Sequence, residues 1–169
     1  LLRDFIFKTY LYFLKFYGKN KRNNPSLIPT LNVSGSKNSV FLNLITKIIS
    51  SQFPTIVQKQ MSFYLKNKSE IEAVQEPLGI ATWLEFIVNT EKLEGNILEL
   101  GVYKGGMTVL SANLLQNISS GKKIYACDSF SGIPYDDKFS NVQNSKGRFG
   151  DTSEEYVQKK IQKFNLASK

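Results

Sequence analysis

Apolar positions along the chain fall into short blocks separated by polar and glycine-rich punctuation. The most informative block is 97–100, where Ile97, Leu98 and Leu100 predict a buried strand that Gly101 interrupts. Gly105-Gly106 then opens a helical spacing over 107–117, and Ser119-Ser120-Gly121 reads as a turn. Residues 123–127 predict a second strand that ends at Asp128. A strand, a helix and a strand of these lengths predict a right-handed crossover with parallel strands, so Gly101 and Asp128 should meet at one edge of a sheet.

The flanking pattern is helical. From Pro77, the residues Leu78, Ile80, Ala81, Trp83, Leu84, Ile87 and Val88 recur at helical spacing and predict an amphipathic helix closing at about Asn89, with Trp83 and Phe86 in the core. Ser69-x-x-Glu72 and Thr152-x-x-Glu155 have the form of capping boxes, which predicts one short helix ending before Pro77 and a last helix with Tyr156, Val157, Ile161 and Phe164 on its apolar face. Further apolar stretches lie at 56–65, after Pro54, and at 40–51. Between Asp128 and the last helix, residues 129–151 carry little periodicity but hold Gly132, Pro134, Gly147 and Gly150; such a segment after a strand tip reads as a lid or as an insertion.

Charge changes the picture of the front third. Residues 1–68 hold eleven Lys/Arg against the single acid Asp4, whereas residues 69–169 hold eleven against thirteen acids, so the net charge of +8 belongs to the front. Residues 1–17 are dense in aromatics and read as a helix, but Arg3, Asp4, Lys8 and Lys15 argue against a membrane span. Packing on a partner or on other parts of the protein is favoured over contact with a membrane surface, and a signal peptide lacks its cleavage site. Residues 18–39 read as a linker, and its basic cluster lacks any nucleic-acid motif. The single Cys127 excludes an internal disulfide, and the lack of histidine excludes His-based triads and His metal sites within the chain. A reducing, cytoplasmic setting is expected. The start at Leu1 and the stop at Lys169 suggest a fragment.

The chemistry sits on Glu99-x-Gly101-x-x-x-Gly105 with Asp128 beyond it. Gly101 permits a tight turn and close approach, Gly105 and Gly106 let the helix begin near a ligand, and an acid at the second strand's tip suits ribose hydroxyls. A dinucleotide fingerprint would require glycine where Tyr103 stands. A Glu99 carboxylate would repel a pyrophosphate and attract a sulfonium and an ammonium, which argues for S-adenosylmethionine over a nicotinamide dinucleotide.

Three ordered blocks, Glu99-Leu100-Gly101-Val102-Tyr103-Lys104-Gly105-Gly106, Cys127-Asp128-Ser129-Phe130-Ser131-Gly132-Ile133-Pro134 and Thr152-Ser153-Glu154-Glu155-Tyr156-Val157-Gln158-Lys159-Lys160-Ile161, resemble the macrocin O-methyltransferase family over about residues 78–166. The resemblance implies a class I S-adenosylmethionine-dependent enzyme that methylates a hydroxyl of a sugar or other small molecule. It implies that Glu99, Gly101, Val102, Tyr103, Lys104, Gly105, Gly106 and Thr108 hold the methionine end of the cofactor. Asp128, with Ser129 and Phe130 beside it, would take the ribose, and Ile133 and Pro134 would border cofactor and substrate in the lid. The family's Mg²⁺ ligands and catalytic base are expected beyond residue 169, so the chain alone should not catalyse; Asp136, Asp137 and Asp151 are poor substitutes because they lie in a loop.

The expected fold class is therefore α/β: a Rossmann-like, doubly wound parallel sheet represented by its first two strands. Residues 1–68 are expected to form a basic helical extension and linker, and residues 69–169 the N-terminal part of the methyltransferase domain. The expected partners are a small-molecule substrate and identical subunits, with no nucleic acid. The competing reading is a non-catalytic, methyltransferase-like binding module docked through its N-terminal helix.

Overall fold

The computed structural model describes residues 53–136 and 146–166, all within one compact unit, Phe53–Lys169. The expectations for residues 1–17, 18–39 and 40–51 and for Asp137 lie outside the described residues.

The described elements run α1 (Thr55–Lys66), α2 (Lys68–Ile71), α3 (Pro77–Thr90), β1 (Ile97–Leu100), α4 (Gly106–Asn117), β2 (Ile124–Cys127) and α5 (Glu154–Lys163). β1 and β2 pair in parallel with Ile97 opposite Ile124 and Leu100 opposite Cys127. The predicted strand–turn–helix–strand order is present, and the last ladder bond, Gly101 N–H to Cys127 O at 2.9 Å, ends just where the chain must turn. Because side chains alternate along a strand, Ile97, Glu99, Ile124 and Ala126 share one face. Glu99 bonds Thr108 of α4, so this is the face that α4 covers. Leu98, Leu100 and Tyr125 point the other way and are 60%, 76% and 55% exposed, so β1 is not the buried strand that its apolar run predicts: only the face toward α4 is covered.

α1, α3 and α4 build the core. Val57, Gln60, Met61 and Tyr64 recur at i, i+3, i+4 and i+7 on α1 and are buried, as are Ile80, Ala81, Leu84 and Ile87 on α3. α4 buries eight of its twelve residues, among them Val109, Leu110, Leu114 and Leu115. The polar Gln60 is tolerated inside because its amide donates to Leu110 O at 3.0 Å and accepts from Asn117 Nδ2 at 3.2 Å.

Four local expectations are corrected. The Ser69–Glu72 capping box does not form: α2 starts one residue before Ser69, and Glu72 ends the helix in the left-handed region (φ 54°), where its carboxylate turns to Lys160 and Tyr156. The last helix is capped by Ser153, whose Oγ accepts the Tyr156 N–H, because the Thr152 hydroxyl is drawn to Tyr103 O at 3.0 Å. The buried residues of α5 are Val157 and Lys160, with Tyr156 42% exposed. Phe86 is not core: it is 60% exposed and stacks on Trp83, which is itself half-buried and donates from Nε1 to Ser111 Oγ at 2.9 Å.

Candidate functional site

The site is the turn between β1 and α4. Gly101 leaves the sheet at φ 86° and Tyr103 follows at φ 50°, a left-handed conformation that costs a residue with a Cβ about 1–2 kcal/mol. The Gly105 N–H closes the turn on Val102 O at 2.9 Å, and Gly105 itself is at φ 75°. The three glycines differ in what surrounds them. A Cβ on Gly105 would lie 2.8 Å from Val157 Cγ1, and one on Gly106 would lie 2.6 Å from Ala73 Cα, so both are demanded by packing against α5 and the segment after α2. A Cβ on Gly101 would meet nothing within 4 Å, so its bare backbone faces open space.

What holds the turn is Asp128. Its Oδ2 accepts the N–H groups of Val102 at 2.7 Å and Tyr103 at 2.8 Å, and its Oδ1 accepts the Phe130 N–H at 2.8 Å. Partial burial opposes its ionisation, but the backbone donors at Tyr103, Phe130 and Val102 outweigh that and hold the carboxyl below the usual carboxylate range.

Glu99 stands on the α4 side and accepts from Thr108 Oγ1 at 2.8 Å. Its carboxyl is pushed up, first by burial and then by the negative charge of Asp128, with the Thr108 hydroxyl acting in the opposite sense. Two acids thus flank an unoccluded glycine, an environment that favours a cation. The N–H groups of Gly106, Met107 and Thr108 open α4, and no described residue accepts from them.

Tyr103 and Lys104 direct their side chains elsewhere. The Tyr103 hydroxyl donates to Asp151 Oδ1 at 2.8 Å, its ring meets Phe149 edge-on at 5.1 Å, and Lys104 Nζ bridges Asp151 Oδ2 and Glu72 Oε1. Ser129 Oγ accepts from the following Ser131 N–H and hydroxyl. Ile133 pairs with the returning limb, its N–H bonding Arg148 O at 3.0 Å and its O accepting the Gly147 N–H at 2.8 Å. That pairing needs Gly132, where a Cβ would lie 2.6 Å from Arg148 O. The structure therefore brings Glu99, Gly101, Thr108 and Asp128 together and places Ile133 and its neighbour Pro134 at a separate pairing of the loop's two limbs.

Sequence reasoning missed Lys160 and Glu72. Lys160 is 7% exposed, and its Nζ donates to Ile71 O at 3.0 Å and to Glu72 Oε2 at 2.9 Å, while the Tyr156 hydroxyl also bonds Glu72. The spacing along α5 carried that signal, since Lys160 lies three residues after Val157 on the same helix face, but a lysine on an apolar face reads as solvent-exposed. Among the described residues no group of three or more His, Cys, Asp or Glu side chains could hold a metal ion, with Asp136 accepting the Lys146 N–H and Asp151 engaged by Lys104. No described helix is long and apolar enough to cross a membrane.

No curated protein and no solved structure matches the chain. The family model described as macrocin-O-methyltransferase (TylF) matches residues 82–169, which takes in most of α3, the whole strand–turn–helix–strand unit and α5. With more than half of its length matched, and with the turn, Asp128 and the α5 segment inside the match, the chain belongs to the macrocin-O-methyltransferase family.

Proposed function

We propose that this chain carries the S-adenosylmethionine site of an O-methyltransferase that acts on a hydroxyl of a small molecule, a sugar or a related natural product. Membership of the family supports methyl transfer, and the observation that carries the cofactor is Gly101: a left-handed residue at the strand tip, open where a side chain would stand, between the carboxylates of Glu99 and Asp128. On this reading the two parallel strands and α4 are the first unit of a Rossmann-like, doubly wound sheet, whose ligands sit outside the strands' carboxyl ends.

The residues have distinct tasks. Gly101 lets the cofactor lie on bare backbone. Glu99 offers negative charge to the ammonium and sulfonium, with Thr108 fixing its rotamer through the 2.8 Å bond. The open N–H groups of Gly106, Met107 and Thr108 suit the cofactor's carboxylate. Ser129 and Phe130, next to Asp128, border the nucleoside. When bound, S-adenosylmethionine supplies a methyl group on a cationic sulfur, open to in-line attack by an oxygen nucleophile. The protein's share is orientation and exclusion of water. Mg²⁺ has no ligand set among the described residues, so the reading assigns them to the cofactor alone.

Calorimetric titration of the chain with S-adenosylmethionine tests this. The wild-type chain should bind, and Gly101→Val, which adds a branched side chain at φ 86° in the open space, should abolish binding. No binding by the wild type, or equal affinity in the variant, would refute the assignment.

A further inference from the structure

Lys160 is a charged side chain inside the protein, 7% exposed, on α5. A buried ammonium is costly unless its donors are met, and an apolar side chain in its place often serves stability as well. Here the donors are met on the segment that ends α2. Lys160 Nζ gives to Ile71 O at 3.0 Å and to Glu72 Oε2 at 2.9 Å, and the Tyr156 ring lies 5.0 Å away. Glu72 stands at φ 54° and ψ 37°, a left-handed conformation that a glutamate holds only when its surroundings compensate the strain. Its Oε2 also accepts the Tyr156 hydroxyl, and its Oε1 faces Lys104 Nζ at 3.5 Å. Burial opposes ionisation of Glu72, but the Tyr156 hydroxyl, Lys160 and Lys104 outweigh it and hold the carboxyl below the usual carboxylate range.

These contacts close a ring around the start of α4. Gly106 is seated on the backbone that Lys160 and Glu72 hold: a Cβ there would lie 2.6 Å from Ala73 N and Cα and 2.9 Å from Ile71 O, the carbonyl that accepts from Lys160. Gly105 is seated on α5 itself, through Val157, and Lys104 meets Glu72 directly. An apolar side chain at position 160 could fill the space but would offer no donor to Ile71 O or to Glu72. Glu72 would then lose much of what keeps it left-handed, and the seat of Gly106 would loosen.

We propose that Lys160 and Glu72 are positioning residues for the cofactor site. Their ion pair sets the Ile71–Ala73 backbone on which the first turn of α4 rests, and through it the stance of the glycine turn and of the N–H groups of Gly106, Met107 and Thr108. Both act through backbone. The link to the ligand rests on the S-adenosylmethionine reading, whereas the link to the turn stands without it.

Two measurements on the 169-residue chain test the proposal. The variants are Lys160→Met, Glu72→Gln and the two combined; the combination removes both charges and leaves neither unpaired, should a single variant fail to fold. Val57→Ala, a core truncation on α1, controls for a general loss of stability. The first measurement needs no ligand: amide hydrogen exchange followed by NMR at Glu72, whose N–H bonds Lys68 O, and at Gly105, whose N–H bonds Val102 O. Both amides should exchange about tenfold faster in the variants of the pair while those of α1 and α3 keep their rates, and Val57→Ala should show no such excess at Gly105. Faster exchange at Glu72 with Gly105 unchanged would overturn the proposal by confining the pair to α2. Acceleration spread evenly over the helices would overturn it as well.

The second measurement is the calorimetric affinity for S-adenosylhomocysteine, at a temperature where circular dichroism shows each variant folded. Each variant of the pair should bind about tenfold more weakly, the combination no worse than the singles because the pair acts as one unit, while Val57→Ala stays within about twofold of wild type. Wild-type affinity in the combined variant would overturn the link to the ligand. Failure of the wild type to bind would instead defeat the cofactor reading, and exchange at Gly105 would still decide whether the pair positions the turn.

Discussion

Lys104 Nζ lies 3.1 Å from Asp151 Oδ2 and 3.5 Å from Glu72 Oε1, so one ammonium ties the glycine turn to the limb before α5 and to the end of α2. The Tyr103 hydroxyl reinforces the first link at 2.8 Å. The Tyr103 hydroxyl and the Lys104 ammonium hold Asp151 below its usual 3.8, and Asp151 in turn raises Lys104 above its usual 10.5. The signs give a window. A depressed carboxyl contributes above about 3.8 and loses that contribution as pH falls through its folded value, while a raised ammonium contributes below about 10.5 and loses it as pH rises through its own. Between these limits the limb should be fastened. Limited trypsin digestion followed by mass spectrometry should find cleavage after Arg148 severalfold faster in Lys104→Met and Asp151→Asn than in wild type, with the difference shrinking at high salt because the pair is partly exposed. Equal cleavage rates at low salt would contradict the tie.

Gly105 and Gly106 make a second, sharper prediction, because their neighbours differ in kind. A Cβ on Gly105 presses on the end of a side chain, Val157 Cγ1 at 2.8 Å, whereas a Cβ on Gly106 presses on Ala73 backbone at 2.6 Å. Gly105→Ala should therefore cost about 1–2 kcal/mol from its left-handed φ alone, plus an overpacking cost. Gly106→Ala should cost roughly 1–3 kcal/mol or more from overpacking alone. Adding Val157→Ala should recover the overpacking part for Gly105→Ala, with a coupling of about 1 kcal/mol, and nothing for Gly106→Ala. Urea denaturation of the single and double variants measures the difference.

The order of elements could be read from the chain because each rests on a local signal. Ile97, Leu98 and Leu100 stop at a glycine, α4 carries a dense apolar face, and Ile124 to Cys127 follows a turn of serine and glycine. The same reading located Glu99, Gly101 and Asp128 at one edge, which the Asp128 bonds to Val102 and Tyr103 bring about. What escaped it depends on partners distant in sequence. Glu72 abandons its capping role because Lys160, eighty-eight residues on, draws its carboxylate, and Thr152 yields the cap to Ser153 because Tyr103 O is within reach. Phe86 has the helical spacing of a core residue but falls at the border of the buried stripe, where it stacks on Trp83 and stays 60% exposed. No pattern of spacing could tell that the glycines at 105 and 106 face protein while the one at 101 faces open space.

The uncovered face of the sheet bears on behaviour in solution. Leu98, Leu100 and Tyr125 stand side by side on the two strands and are more than half exposed. Contiguous apolar surface of this kind promotes dye binding and self-association. Leu98→Thr with Leu100→Thr keeps residues suited to a strand and should lower 8-anilinonaphthalene-1-sulfonate fluorescence and the concentration dependence of sedimentation, while the far-ultraviolet circular dichroism stays unchanged. If dye binding persists, another surface must be responsible.

Glu99 separates stability from binding. Burial, then the neighbouring Asp128 charge, raise its carboxyl above 4.5, so ionisation is harder in the folded than in the unfolded chain and stability is lost as pH rises through the raised value. At neutral pH the ionised carboxylate is therefore a cost to the ligand-free fold. Glu99→Gln keeps the shape and an acceptor for the Thr108 hydroxyl while removing the charge. Its melting temperature at pH 7 should rise, and the pH dependence contributed by Glu99 should vanish. Binding should move the opposite way. A carboxylate that attracts a sulfonium favours S-adenosylmethionine over S-adenosylhomocysteine, whose sulfur is neutral, so the preference between the two should fall in the variant by about tenfold. Thermal melts and paired calorimetric titrations read both quantities on the same protein. A lower melting temperature together with an unchanged preference would mean that Glu99 only braces α4 against β1 and has no part in selecting a cation.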